Sequence, residues 1–226
     1  MCKKLIVLAL MVGLASVSYG YDTKQIGSWE TENPANLLEG WAAGWDDNAS
    51  IARTTAYGAT MGTHALKISA NNASGWGWVA KNEGLYDRRS YFYQPGARVY
   101  MDVTWVASEW DGTNIWVQMR DIALNSNPGW WQKQAVDTAN PSYPGGWDPY
   151  SWGEVHTRTL YWDVSGYNWA GVEGSWWLQF ILSKNEGGDA GYTSGKWYID
   201  NVVITPEPAT IAMLGLGGLA LIRRKK

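Results

Sequence analysis

The sequence predicts an all-β fold, a two-sheet β-sandwich of the jelly-roll type. Apolar and polar residues alternate over short stretches of the 226-residue chain, the period of a half-buried strand. Gly, Asn, Asp and Pro separate these stretches, as turns require. Long runs of helical periodicity are few between residues 21 and 205, and no internal repeat of fixed period is present.

Taken in order, strands are predicted near 26–30, 49–53, 64–70 and 76–80. The run ARVYMDVTWVA, residues 97–107, sets Val99, Met101, Val103 and Trp105 against Tyr100, Asp102 and Thr104. TNIWVQMRD, residues 113–121, sets Ile115, Val117 and Met119 against Trp116, Gln118 and Arg120. Residues 125–153 hold four prolines, four glycines and four tryptophans and read as one long loop. A strand near 157–163 follows. SWWLQFILS, residues 175–183, then sets Trp176, Leu178, Phe180 and Leu182 against Trp177, Gln179 and Ile181. GKWYIDNVVI, residues 195–204, is the last strand. Eight or nine such strands are enough to form two packed sheets.

Both ends of the chain differ from this body. Residues 1–20 place Lys3 and Lys4 before an apolar stretch from Leu5 to Ala15, with Ser18 and Gly20 at the small positions of a cut before Tyr21. That layout is a secretory signal peptide, too short for a membrane span. Cys2 is the only cysteine and lies within it, so the exported protein is expected to have neither a disulfide nor a cysteine metal site. Residues 21–205 carry 20 acidic and 12 basic residues, a net charge of −8 against −3 for the full chain. Such a body repels the phosphates on which nucleic-acid affinity rests, and no nucleic-acid motif offsets this.

Residues 206–226 open with Pro206, Glu207 and Pro208, continue through fourteen apolar or small residues, and close on Arg223, Arg224, Lys225 and Lys226. As a helix the apolar part is about 21 Å long, shorter than the roughly 30 Å of a bilayer core. Its basic end would stay on the cytoplasmic side. The three parts in this order resemble the PEP-CTERM sorting signal of bacterial surface proteins. The resemblance implies an exosortase as partner, a membrane enzyme that cuts near Pro-Glu-Pro, after transient anchoring through the C-terminal membrane helix. It also implies delivery to the cell surface or extracellular matrix.

IGSWETENPANLLEGW, followed by GTHALKIS and closed by WYIDNVVI, is similar to the jelly-roll modules of carbohydrate-binding and galactose-binding-like domains. Many of these hold a structural calcium beside their first and last strands. The resemblance implies Glu30 and Asp200 as its carboxylate ligands, with backbone oxygens near Thr63 and His64. Hard oxygen donors suit calcium, yet two carboxylates are few for it, and solvated or hydrogen-bonded side chains are the equal alternative.

Seventeen tryptophans lie between Trp29 and Trp197. A Trp ring suits a core and suits equally well the flat face of a sugar. Trp76, Trp105, Trp176 and Trp197 are expected in the core. Two groups are candidates for ligand contact. One comprises Trp116, Gln118, Arg120, Trp177 and Gln179 on polar strand faces, where stacking and fork-like hydrogen bonding would combine. The other comprises Trp130, Trp131, Trp147 and Trp152 in the 125–153 segment.

Catalysis finds less support. Glu83, Glu109, Glu154, Glu173 and Glu186 supply no defensible pair for glycoside hydrolysis. His64 and His156 lack metal-ligand spacing, and no nucleophile elbow is present. The expected role is non-catalytic polysaccharide contact. A structural matrix protein without a specific ligand and a small glycan-cleaving enzyme are the alternatives.

Overall fold

A computed structural model describes residues 23–43, 49–73, 76–82, 85, 88–94, 96–109, 117–126, 129–139, 146–147, 155–165, 176–184 and 193–205. The expected signal helix, Trp116, Trp152 and the sorting segment with Pro206, Glu207, Pro208, Arg223 and Arg224 lie outside the described residues. Among the described residues no helix is long and apolar enough to cross a membrane.

The chain folds as a two-sheet β-sandwich. Its strands are β1 (Lys24–Gly27), β2 (Trp41–Ala43), β3 (Ala49–Thr54), β4 (Ala65–Ala73), β5 (Trp76–Asn82), β6 (Arg98–Val106), β7 (Val117–Ser126), β8 (Gly129–Gln134), β9 (Val136–Asp137), β10 (Gly146–Trp147), β11 (Val155–Asp163), β12 (Trp176–Lys184) and β13 (Thr193–Thr205). Among the described residues, a seven-stranded antiparallel sheet runs β3-β4-β13-β6-β11-β9, with β1 also on β13. The six-stranded sheet runs β10-β7-β12-β5-β2, with β8 also on β7.

Alternation decides which face of the first sheet turns inward. Val99, Met101, Val103 and Trp105 of β6 are buried together with Leu160 and Trp162 of β11 and Trp197, Ile199, Val202 and Ile204 of β13. Trp29 and Trp41 join the same cluster, with ring centroids 6.1 Å apart. Trp105 lies directly opposite Trp197 in the register, and their rings meet edge to face at 5.1 Å. Trp105 and Trp197 are therefore core residues, as the strand pattern predicts.

The predicted strands at 97–107, 175–183 and 195–204 appear with small changes in their ends. The strand expected at 113–121 is described at 117–126. Its pairing with β12 shifts between Ile181 and Leu182, so Arg120 is the extra residue between Met119 and Asp121. A bulge of this kind interrupts the two-residue period on which the prediction rested. Residues 125–153 are not one loop. β8 pairs with β7 over residues 129–134, and the short strands β9 and β10 follow. At the end of this pairing Ser126 lies opposite Gly129.

Removing the Trp105 ring should cost about 3–5 kcal/mol, the range for deleting a large buried aromatic. Chemical denaturation of Trp105→Ala against the parent protein measures this directly.

Candidate functional site

Four neighbouring strands of the six-stranded sheet carry seven of the predicted ligand residues: Gln118 and Arg120 on β7, Trp130 and Trp131 on β8, Trp147 on β10, Trp177 and Gln179 on β12. Backbone register sorts these residues, because directly opposed residues share a face of the sheet. Trp41, Asn82, Leu178, Leu124 and Trp131 form one row. Trp41 and Asn82 are buried, so this row belongs to the core side. The next row, Ala42, Lys81, Gln179, Ala123 and Gln132, belongs to the solvent side, where Ala42 is exposed and Lys81 half-buried.

Two residues further along the strands, Trp177, Asn125 and Trp130 form a row on that same outer face. Gln118 falls in an outer row with Ser183, Gly146 and Trp76, the last a residue expected in the core. Trp130, Trp177, Gln118 and Gln179 therefore share the outer face. Trp131 and Trp147 occupy rows of the inner parity, and Arg120 sits at the bulge. Neither the adjacency Trp130-Trp131 nor the bulge reveals this sorting in the sequence, since it depends on how β8 pairs.

Glu30 and Asp200 lie on the opposite side of the molecule. There residues 55–64 cross the outer face of β13. Tyr57 meets Tyr198 edge to face at 5.5 Å, and a Cβ on Gly58 would lie 2.4 Å from the Tyr198 Cβ. Gly58 also has φ +82°, a left-handed backbone that favours glycine. Beneath the loop, the Tyr198 hydroxyl donates to Glu109 Oε2 at 2.5 Å, and Lys196 Nζ donates to Glu109 Oε1 at 2.8 Å. Burial first, then the Glu109 carboxylate, pushes the Tyr198 phenol up.

Asp200 is wholly buried. Its Oδ2 accepts the amide hydrogens of Thr60 and Met61, both at 2.7 Å, and its Oδ1 accepts the Asn201 amide at 2.6 Å. Burial raises its pKa, and these hydrogen bonds oppose the rise. Asp102 stands directly opposite on β6. It accepts from Thr60 Oγ1 at 2.6 Å, Thr159 Oγ1 at 2.5 Å and Asn201 Nδ2 at 3.2 Å.

Glu30 fastens the other end of the loop. Its Oε1 accepts the Thr63 amide at 2.8 Å and the His64 amide at 2.6 Å, while Oε2 lies 3.2 Å from His64 Nδ1. Partial burial works to raise the Glu30 pKa, but the His64 and Thr63 hydrogen bonds and the His64 charge outweigh it and hold it at about 2. Arg53 Nη2 stands 3.0 Å from the same His64 nitrogen and pairs with Glu32 at 2.8 Å.

This donor set does not fit the calcium that the sequence resemblance implies. Asp200 Oδ2 and Glu30 Oε1 each accept two amide N–H groups, which engages both lone pairs of each oxygen. Calcium needs carbonyl and carboxylate oxygens turned towards it, whereas here the loop turns amide hydrogens inward. Among the described residues no group of three or more His, Cys, Asp or Glu is placed to hold a metal ion.

Residues 205–226 match the PEP-CTERM protein-sorting motif. The motif marks the protein as exported and sorted to the cell surface, as the tail predicts. No curated protein matches the chain. Among solved structures, the chain is similar to a family 22 carbohydrate-binding module from Clostridium thermocellum, at 12% identity, covering 80% of this chain and 91% of that one, with a TM-score of 0.45. It is also similar to a family 28 module specific for non-crystalline cellulose, at 10% identity, 80% and 93% coverage and a TM-score of 0.45. A cyclase from Fischerella sp. TAU aligns at 13% identity, 83% and 98% coverage and a TM-score of 0.40.

A carboxylate whose folded pKa is depressed stabilises the fold above its ordinary pKa and loses that contribution as pH falls through the folded value. Glu30 should therefore stabilise the protein fully above 4.5, and the effect should vanish as pH approaches 2. Thermal unfolding of the parent and Glu30→Gln across this range checks it. The gap between the two should be complete just above 4.5 and close on acidification towards 2.

Proposed function

We propose that this protein is an exported surface protein whose β-sandwich makes non-catalytic contact with polysaccharide through the outer face of the six-stranded sheet. The observation that carries the reading is the register. Trp177, Asn125 and Trp130 form one row, and Lys81, Gln179 and Gln132 form another on the same face. Neighbouring strands are about 4.8 Å apart, so Trp130 and Trp177, separated by β7, are spaced for an extended chain of pyranose rings rather than one ring. Indole faces stack on sugar rings, and amides supply both donors and acceptors for their hydroxyls.

The tail motif supports processing by an exosortase-type membrane enzyme, with transient anchoring before the cut. Glu109, one of the carboxylates weighed for catalysis, is engaged by Tyr198 and Lys196 under the loop on the other sheet. This supports a binding role over hydrolysis at that residue.

The test is retention of the full-length chain, purified in detergent, on a panel of soluble and insoluble polysaccharides. Trp130→Ala and Trp177→Ala should each weaken saturable binding by more than about tenfold, the loss of a central aromatic contact, without lowering Tm. Trp131→Ala, of the inner parity, should lower Tm instead. A folded protein that binds nothing on the panel would leave the structural matrix protein as the better account.

A further inference from the structure

We propose that Glu30 and Asp200 form a metal-free latch: two carboxylates that capture four backbone amides of residues 60–64 and strap this segment over the seven-stranded sheet without calcium. The latch is separate from the face proposed for polysaccharide and belongs to the other sheet.

The loop has the geometry of an anion receptor. Thr60 and Met61 present consecutive N–H groups to one carboxylate, and Thr63 and His64 present consecutive N–H groups to the other. Successive amides that converge in this way form concavities for anions. Here both anions are supplied by the chain itself. Gly62 lies between the two pairs at φ +82°, and a Cβ there would lie 2.4 Å from Glu30 Cδ, so the carboxylate occupies the space a side chain would take. At the Glu30 end, His64 Nδ1 stands 3.2 Å from Glu30 Oε2, and the Arg53 guanidinium, 3.0 Å from that same nitrogen, already brings a positive charge into the neighbourhood. To hold calcium between these carboxylates, the loop would have to turn its peptide planes over and abandon all four bonds. Hydrogen bonds to an ionised acceptor are among the stronger ones in proteins, so such a rearrangement is opposed at both ends.

The test uses the full-length chain in detergent, with two readouts. Thermal unfolding is followed in excess calcium chloride and in excess EGTA. Amide hydrogen exchange is followed at Thr60, Met61, Thr63 and His64. The expected result is a Tm that is the same in calcium and in chelator. In Glu30→Gln, exchange at Thr63 and His64 should be faster by more than about tenfold, as loss of charged hydrogen bonds implies, while the core strands stay protected. Asp200→Asn should do the same at Thr60 and Met61. If Asp200→Asn does not fold, Glu30→Gln decides the matter alone, because Glu30 is only partly buried. A calcium-dependent rise in Tm that disappears in Glu30→Gln overturns the proposal. So does unchanged exchange at Thr63 and His64 in that variant.

Discussion

The Asp200 carboxylate has no exposed surface, and the cost of removing that charge from water sets what the surrounding chain must do. Strand pairing alone does not satisfy it. Three amide hydrogens come to it, two from the 55–64 segment and one from its neighbour Asn201, whose φ of 51° belongs to the left-handed region. That backbone excursion falls where the pairing between β13 and β6 slips between Asp200 and Val203. The bulge, the loop and the buried charge are thus one arrangement. Once the loop is committed to Asp200, Gly58 must ride over Tyr198, and Glu30 is left to take the amides at the far end.

The two outer faces carry different residues. The outer side of the seven-stranded sheet is covered along β13 by the loop, and its polar groups are spent on internal partners such as Glu109, Tyr198 and Lys196. The outer rows of the six-stranded sheet carry tryptophans beside amides and a lysine. A domain with no disulfide has only its core and its internal polar bonds to hold it.

Much of this architecture is legible in the sequence where a strand is long and one face is buried. The alternation in residues 97–107 identifies β6 because Val99, Met101, Val103 and Trp105 all enter the core. Legibility fails where pairing rather than pattern decides. Trp130 and Trp131 are consecutive, and only the register with Asn125 and Leu124 sends them to opposite faces. β8, β9 and β10 are short or flanked by Gly and Pro, so their propensity signal is that of a loop. Glu30 and Asp200 can be singled out by resemblance. What they bind depends on whether the loop turns N–H or C=O groups towards them, and peptide orientation leaves no mark on residue identity.

The sorting motif begins at residue 205, which is also the last residue of β13. At that point Thr205 lies opposite Arg98, and its hydroxyl is 3.3 Å from that of Thr23, just ahead of β1. A pull on the sorting segment along the axis of β13 would enter the fold through that strand. β13 is flanked by β6 on one side and by β1 and β4 on the other. A pull in that direction loads these ladders in shear, many hydrogen bonds together, rather than peeling them one at a time. The sorting segment thus continues from a strand that is paired on both sides, so a load on that segment would be shared by three neighbouring strands.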